Sequence, residues 1–136
     1  MQHKQVDVDW QGRGMVFSGG SSGRTPVVID GDGAEGPSPV DTLLIALAGC
    51  TASDVVMILE KKRLQLTELR VAVTGERRDE YPRRFLSIKL VFTISARGAT
   101  DAAVRQAIDL SMEKYCSVSH SLNPDIPVTY DLVLQA

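Results

Sequence analysis

Residues 43–59 read Leu-Leu-Ile-Ala-Leu-Ala-Gly-Cys-Thr-Ala-Ser-Asp-Val-Val-Met-Ile-Leu, with a single charge, at Asp54. A stretch apolar around its whole circumference belongs at the centre of a fold rather than on its surface. Thr51, Ser53 and Asp54 interrupt it, and it falls short of the roughly 20 residues of a membrane span, so it reads as a buried helix and no membrane role is expected. Its start is marked by Ser38 as N-cap, Pro39 at the first helical position and Asp41 reaching back as a capping box. It should run to residues 61–63, where Lys61, Lys62 and Arg63 suit the negative end of the helix dipole. Ala46, Ala48, Gly49, Ala52 and Ser53 are small enough to let another helix or backbone approach closely. So much apolar surface needs more cover than 136 residues provide. A homodimer sharing this core is therefore expected.

The flanking segments have a different period. Val6, Val8 and Trp10 alternate with polar residues, Gln11-Gly-Arg-Gly14 turns the chain, and Met15-Val-Phe17 and Val27-Val-Ile29 are further short strands. After the helix, Leu69, Val71 and Val73 open a strand. Leu86, Ile88, Leu90, Phe92 and Ile94 mark its return. Thr100 is the expected N-cap of a second helix, whose inner face is Val104, Ala107, Ile108, Ser111, Met112 and Tyr115. Ile126, Val128, Tyr130, Leu132 and Leu134 close the chain as an alternating strand. The class is α+β, with antiparallel strands wrapped around two helices in one domain spanning residues 1–136.

A net charge of −2 without a basic stripe makes nucleic acid a poor partner. The mixed cluster Glu76-Arg-Arg-Asp-Glu80 reads as a solvated turn. The first residues have no apolar stretch of the kind a secretory signal needs, and two distant cysteines make neither a disulfide framework nor a zinc site. A reduced, cytoplasmic protein is the expectation, without metal or other cofactor.

The two cysteines, Cys50 and Cys116, fall on the two expected helices. Cys50 lies too far along its helix for the dipole to acidify it, and burial raises a thiol pKa, so its residues alone favour an inert packed thiol. Reactivity would need a cation. Arg13 and Arg24, flanking the glycine-rich connection of the first strands, are the leading candidates, ahead of Arg83 and Arg84. Cys116 lies where the second helix gives way to Ser117-Val-Ser-His-Ser-Leu-Asn-Pro124. There it can open a short turn whose backbone N–H groups favour a thiolate, with His120 on the same face.

Gly36-Pro-Ser-Pro39-Val-Asp-Thr-Leu-Leu-Ile-Ala-Leu-Ala-Gly-Cys50-Thr-Ala-Ser-Asp54-Val resembles the signature of the OsmC/Ohr family, the osmotically inducible and organic-hydroperoxide-resistance proteins. Glu113-Lys-Tyr-Cys116-Ser-Val-Ser119 resembles that family's second cysteine motif, and the order of elements agrees along the whole chain. The resemblance implies an intertwined homodimer with sheets around paired central helices. It also implies a thiol peroxidase needing no metal or flavin, in which Cys50 attacks an organic hydroperoxide, Cys116 resolves the sulfenic acid to a disulfide, and a dithiol reduces it. In that family an arginine from the N-terminal strands and a glutamate directly after the helix-opening proline support the attacking thiolate. Here Arg13 and Arg24 are the candidates for the first, and Val40 stands in place of the second. That replacement motivates an alternative, a non-catalytic dimer binding a small apolar ligand. A thiol–disulfide oxidoreductase acting on proteins is disfavoured, because no Cys-X-X-Cys pair is present.

Overall fold

The computed structural model describes residues 1–135, which form two compact units, Met1–Leu43 and the chain from Leu44 onward.

In the first unit, β1 (Asp7–Trp10), β2 (Val16–Gly20) and β3 (Val27–Asp30) form an antiparallel sheet in that order. Gly12 and Gly14, at φ 80° and 47°, make the β1–β2 turn, which Trp10 Nε1 closes by donating to Gly14 O at 3.0 Å. A second turn is built on Asp30, only 2% exposed. Its Oδ2 accepts the N–H groups of Glu35 (2.9 Å) and Ala34 (3.2 Å), and its Oδ1 accepts that of Asp32 (2.9 Å). Gly36 then crosses so close to β3 that a Cβ there would lie 2.7 Å from Val28 O.

The N–H groups of Glu35 and Asp32 hold the Asp30 carboxyl below the ordinary carboxylate range, against the opposing effect of burial. A carboxyl whose pKa is depressed in the folded state contributes stability above its unfolded pKa, about 3.9, and loses it as pH falls through the folded value. Asp30→Asn should therefore be less stable than wild type near neutrality in urea unfolding. The gap should narrow as pH drops below about 3.9, because wild type alone loses this contribution there. A gap that stays constant with pH would remove the carboxylate from the account.

The helix α1 (Pro39–Lys61) starts as its sequence signals. Ser38 Oγ accepts the Asp41 N–H at 3.1 Å, and Asp41 Oδ2 accepts the Ser38 N–H at 3.3 Å, a reciprocal capping box. It ends in a Schellman motif around Arg63, which sits at φ 59° where glycine is usual. The Leu64 N–H donates to Leu59 O (3.0 Å) and the Arg63 N–H to Glu60 O (2.9 Å).

The second unit carries a sheet in the order β4 (Gln65–Arg77), β5 (Phe85–Arg97), β6 (Val128–Gln135). β4 and β5 pair antiparallel, but β6 runs parallel to β5, which corrects the expectation of purely antiparallel strands. The cause lies between them. A parallel return needs a crossover, and α2 (Asp101–Leu110), one π turn (Ser111–Tyr115) and α3 (Ser117–His120) supply it. Thr100 caps α2 as expected, its Oγ1 accepting the Ala103 N–H at 3.1 Å. Ile88, Leu90, Phe92 and Ile94 of β5 are buried, as are Val104, Ala107 and Ile108 of α2. Phe92 meets the Tyr130 ring edge-on at 5.9 Å.

α1 runs antiparallel to the crossover, as three hydrogen bonds show: Thr51 to Cys116, Ser111 to Asp54 and Lys62 to Gln106. Leu47, Thr51, Val55 and Leu59, every fourth residue, are its buried stripe. Leu43, Ile45 and Met57 remain exposed, so within one chain this helix is buried on one face rather than all round. At 23 residues it is also long and apolar enough to cross a membrane by length and composition, which the apolar run alone did not reach. Its buried stripe and its bonds to the crossover identify it as a core helix.

Candidate functional site

α1 and the crossover bring the two cysteines together. Cys50 and Cys116 are both free thiols, the first half-buried and the second fully buried, and Thr51, the residue after Cys50, reaches to within 3.5 Å of Cys116 Sγ.

The π turn puts Cys116 there. In a continuous α-helix the residue one turn after the buried Ser111 would be Tyr115, as its place on the expected inner face implies. The turn is instead wide. The Cys116 N–H donates to Ser111 O at 2.8 Å, five residues back, so Cys116 takes the inner position and Tyr115 is turned out to 46% exposure. Ser111 Oγ donates to Asp54 Oδ2 at 2.8 Å, tying the wide turn to α1 one helical turn beyond Cys50. The helix then breaks at Cys116 and restarts with its side chain as the N-cap of α3, Sγ accepting the Ser119 N–H at 3.4 Å. Ser119 Oγ donates back to Cys116 O at 3.1 Å. This is the short turn with thiolate-favouring N–H groups that the sequence promised.

Thr51, next to Cys50 in the chain, completes the pocket around the buried sulfur. Its Oγ1 lies 3.5 Å from Cys116 Sγ and 3.1 Å from Leu47 O. A hydroxyl has one proton, so it serves one acceptor at a time.

The two thiols are shifted in opposite directions. Burial pushes Cys50 up; the N–H groups of Val118 and Ser117 pull against it, while Cys116 raises it further. Burial also pushes Cys116 up, but the hydrogen bonds from the Thr51 hydroxyl, the Ser119 N–H and Cys50 outweigh it, leaving Cys116 below an ordinary thiol. Two interacting thiols titrate as a pair.

Arg13 forms a two-point ion pair with Glu35, Nε to Oε2 at 3.0 Å and Nη2 to Oε1 at 2.7 Å, so its guanidinium is engaged within the first unit. Arg24 is exposed in the β2–β3 loop, beside Asp7 and Asp9 of β1. His120 lines a cavity of about 520 Å³ with Asp109, Met112, Leu122, Ile126 and Tyr130. Among the described hydrogen bonds none joins its ring to Cys116, so a Cys/His nucleophilic pair is not formed there. Thr51, Asp54, Ser111 and Ser119 are the site residues that sequence reasoning did not single out for this role. The signal was available for three of them: polar side chains inside apolar helical faces, next to or one turn from a cysteine.

The profile of the family described as "OsmC-like protein" matches residues 31–131. "Protein YhfA" of Escherichia coli (strain K12) is 42% identical over 127 residues, 93% of this chain and 94% of that one. The solved structure of a hypothetical protein from Aquifex aeolicus VF5 is 25% identical over the full length of both chains, with a TM-score of 0.84. The organic hydroperoxide resistance protein OhrB of Bacillus subtilis shares the fold at 15% identity, with a TM-score of 0.61 over 95% of this chain and 96% of that one. With a family profile spanning both cysteine motifs and a relative this similar over nearly its whole length, the chain belongs to the OsmC-like protein family.

Proposed function

We propose that this chain, as a single OsmC-like domain, is a cysteine-dependent peroxidase that reduces organic hydroperoxides in the cytoplasm at the expense of a dithiol. The observation that carries the reading is a half-buried thiol, Cys50, on α1 and a fully buried one, Cys116, on the crossover that Thr51 and Asp54 of α1 bond to. Cys50 is the sulfur a substrate reaches. It attacks the terminal peroxide oxygen, the O–O bond breaks, an alcohol leaves, and a sulfenic acid remains. Cys116 then attacks the Cys50 sulfur, water departs, and a disulfide forms; a dithiol reduces it by exchange and becomes a disulfide itself. Kinship with a family that includes organic hydroperoxide resistance proteins supports the substrate class. The exposed apolar side chains of α1, Leu43, Ile45 and Met57, support a homodimer that covers them. A monomeric mass in light scattering would remove the dimer.

The test is intact mass and free-thiol count after one equivalent of cumene hydroperoxide, with hydrogen peroxide in parallel. The expected result is a loss of about 2 Da and of both thiols, faster with the organic peroxide, as a disulfide-forming cycle requires. Two thiols still free after prolonged exposure would sink the peroxidase. Val40 in place of the family glutamate would then favour a non-catalytic dimer binding a small apolar ligand.

A further inference from the structure

The wide turn before Cys116 has to be held. A π turn is rare, and inside a helix the plain α register competes with it. In that register the Tyr115 N–H would take Ser111 O, Tyr115 would face inward, and Cys116 would be turned about 100° away from that face. Ser111 is where the two registers part. Its carbonyl accepts the Cys116 N–H at 2.8 Å, and its side chain is fully buried. Its hydroxyl donates across to Asp54 Oδ2 at 2.8 Å, whereas a serine within a helix commonly bonds back to the carbonyl four residues earlier. Asp54 is the one charge in the apolar run 43–59, and a carboxylate in such surroundings costs stability unless it accepts hydrogen bonds. We propose that Asp54 and Ser111 are positioning residues: their hydrogen bond holds the crossover in the wide register, and that register lets Cys116 resolve an oxidised Cys50. This deepens the peroxidase reading and rests on it.

The spacing on α1 shows how one bond can set the register. Thr51 and Asp54 are three residues apart, about 4.5 Å along the helix axis. Their partners on the crossover, Cys116 and Ser111, are five apart, which an α-helix would spread over about 7.5 Å. The π turn takes the extra residue into one turn and brings both partners opposite α1. The Ser111 bond fixes the start of that turn. The helix break at Cys116, where Sγ accepts the Ser119 N–H at 3.4 Å, fixes its end. Without the first anchor the inner place is open to Tyr115, 46% exposed in the wide register, whose ring gains burial there.

The step that depends on this is the second half of the cycle. The Cys116 sulfur attacks the sulfur of the Cys50 sulfenic acid, and the S–O bond breaks. The oxygen leaves as water, carrying its own proton and that of Cys116. The first half, attack of Cys50 on the peroxide, takes place on α1 and does not use the turn. Loss of the Asp54–Ser111 bond therefore slows the disulfide and spares the sulfenic acid.

Two readouts on the full-length protein test this. After one equivalent of cumene hydroperoxide, Ser111→Ala and Asp54→Leu should form the Cys50 sulfenic acid, trapped by dimedone, at the wild-type rate. They should close the disulfide about tenfold or more slowly, the scale of a hydrogen bond to a carboxylate. Asp54→Asn keeps an acceptor oxygen and should close it within about threefold of wild type. The second readout needs no peroxide. In a Cys50→Ser background, alkylation of the fully buried Cys116 by iodoacetamide should rise about tenfold or more with Ser111→Ala or Asp54→Leu and stay low with Asp54→Asn. Wild-type rates of disulfide closure and Cys116 alkylation in Ser111→Ala would overturn the proposal. So would a sulfenic acid slowed as much as the disulfide, or an Asp54→Asn variant that fails alongside Asp54→Leu. If wild type itself forms no sulfenic acid, the peroxidase reading falls, and the alkylation comparison alone decides whether this bond holds the register.

Discussion

Cys50→Ser should reduce steady-state hydroperoxide turnover to the rate in buffer, while Cys116→Ser should consume one equivalent per chain in a single burst and then stop. The asymmetry follows from the two roles. A serine hydroxyl at position 50 nearly keeps the size but remains protonated, and it lacks the polarisable sulfur that attacks an O–O bond. Stability should change by less than about 1 kcal/mol, since a half-buried isosteric exchange makes no cavity. Loss of activity would then report chemistry and not unfolding. In Cys116→Ser the sulfenic acid still forms at Cys50 but has no partner thiol, so it persists until a reductant or a second peroxide reaches it. The amplitude of the burst tests the resolving role. Turnover retained in Cys50→Ser and lost in Cys116→Ser would invert the assignment and make the buried thiolate the attacking group.

The sequence made the elements legible better than their pairing. Ser38, Pro39 and Asp41 announced the start of α1 because capping is local, and the two hydrogen bonds that make it lie within four residues. Thr100 did the same for α2. Parallel pairing of β6 was hidden because an alternating strand reads alike in either direction. Only the length of the helical crossover hinted at it. The site was half legible for a similar reason. A period of 3.6 residues places Tyr115 on the inner face of α2, and nothing local announces the π turn that puts Cys116 there instead. The hydrogen bonds that tie this turn to α1 join residues 57 and 65 apart, Ser111 with Asp54 and Thr51 with Cys116. Arg13 shows the converse case. As a residue type it suits a thiolate, but Glu35, 22 residues on, holds it, a pairing that spacing does not reveal.

Gly75→Ala should destabilise the protein by about 1–3 kcal/mol, the usual cost of forcing a packed interior to accept an extra methyl. On β4, Gly75 pairs with Ile88 of β5, and the register slips just beyond it: Glu76 faces Ser87, but Arg77 faces Phe85. The slip passes over Leu86, which is 48% exposed although its alternation with Ile88 and Leu90 points it inward in a regular strand. Phe85 takes the buried place, 6% exposed, with its ring lying over Gly75. A Cβ at position 75 would stand 2.3 Å from one ring carbon and 2.6 Å from the next, which only movement of the ring or of both strands can relieve. Removing glycine's freedom from the unfolded chain returns only about 0.4–1 kcal/mol, so the collision decides the sign. Urea unfolding of Gly75→Ala, Phe85→Leu and the double variant separates the causes. Phe85→Leu alone loses packing, but with the ring gone the alanine should cost little, making the pair markedly less destabilised than the sum of the singles. Strict additivity, or a Gly75→Ala variant as stable as wild type, would mean that the slip in β5 is set by something other than the ring of Phe85 over a residue without a side chain.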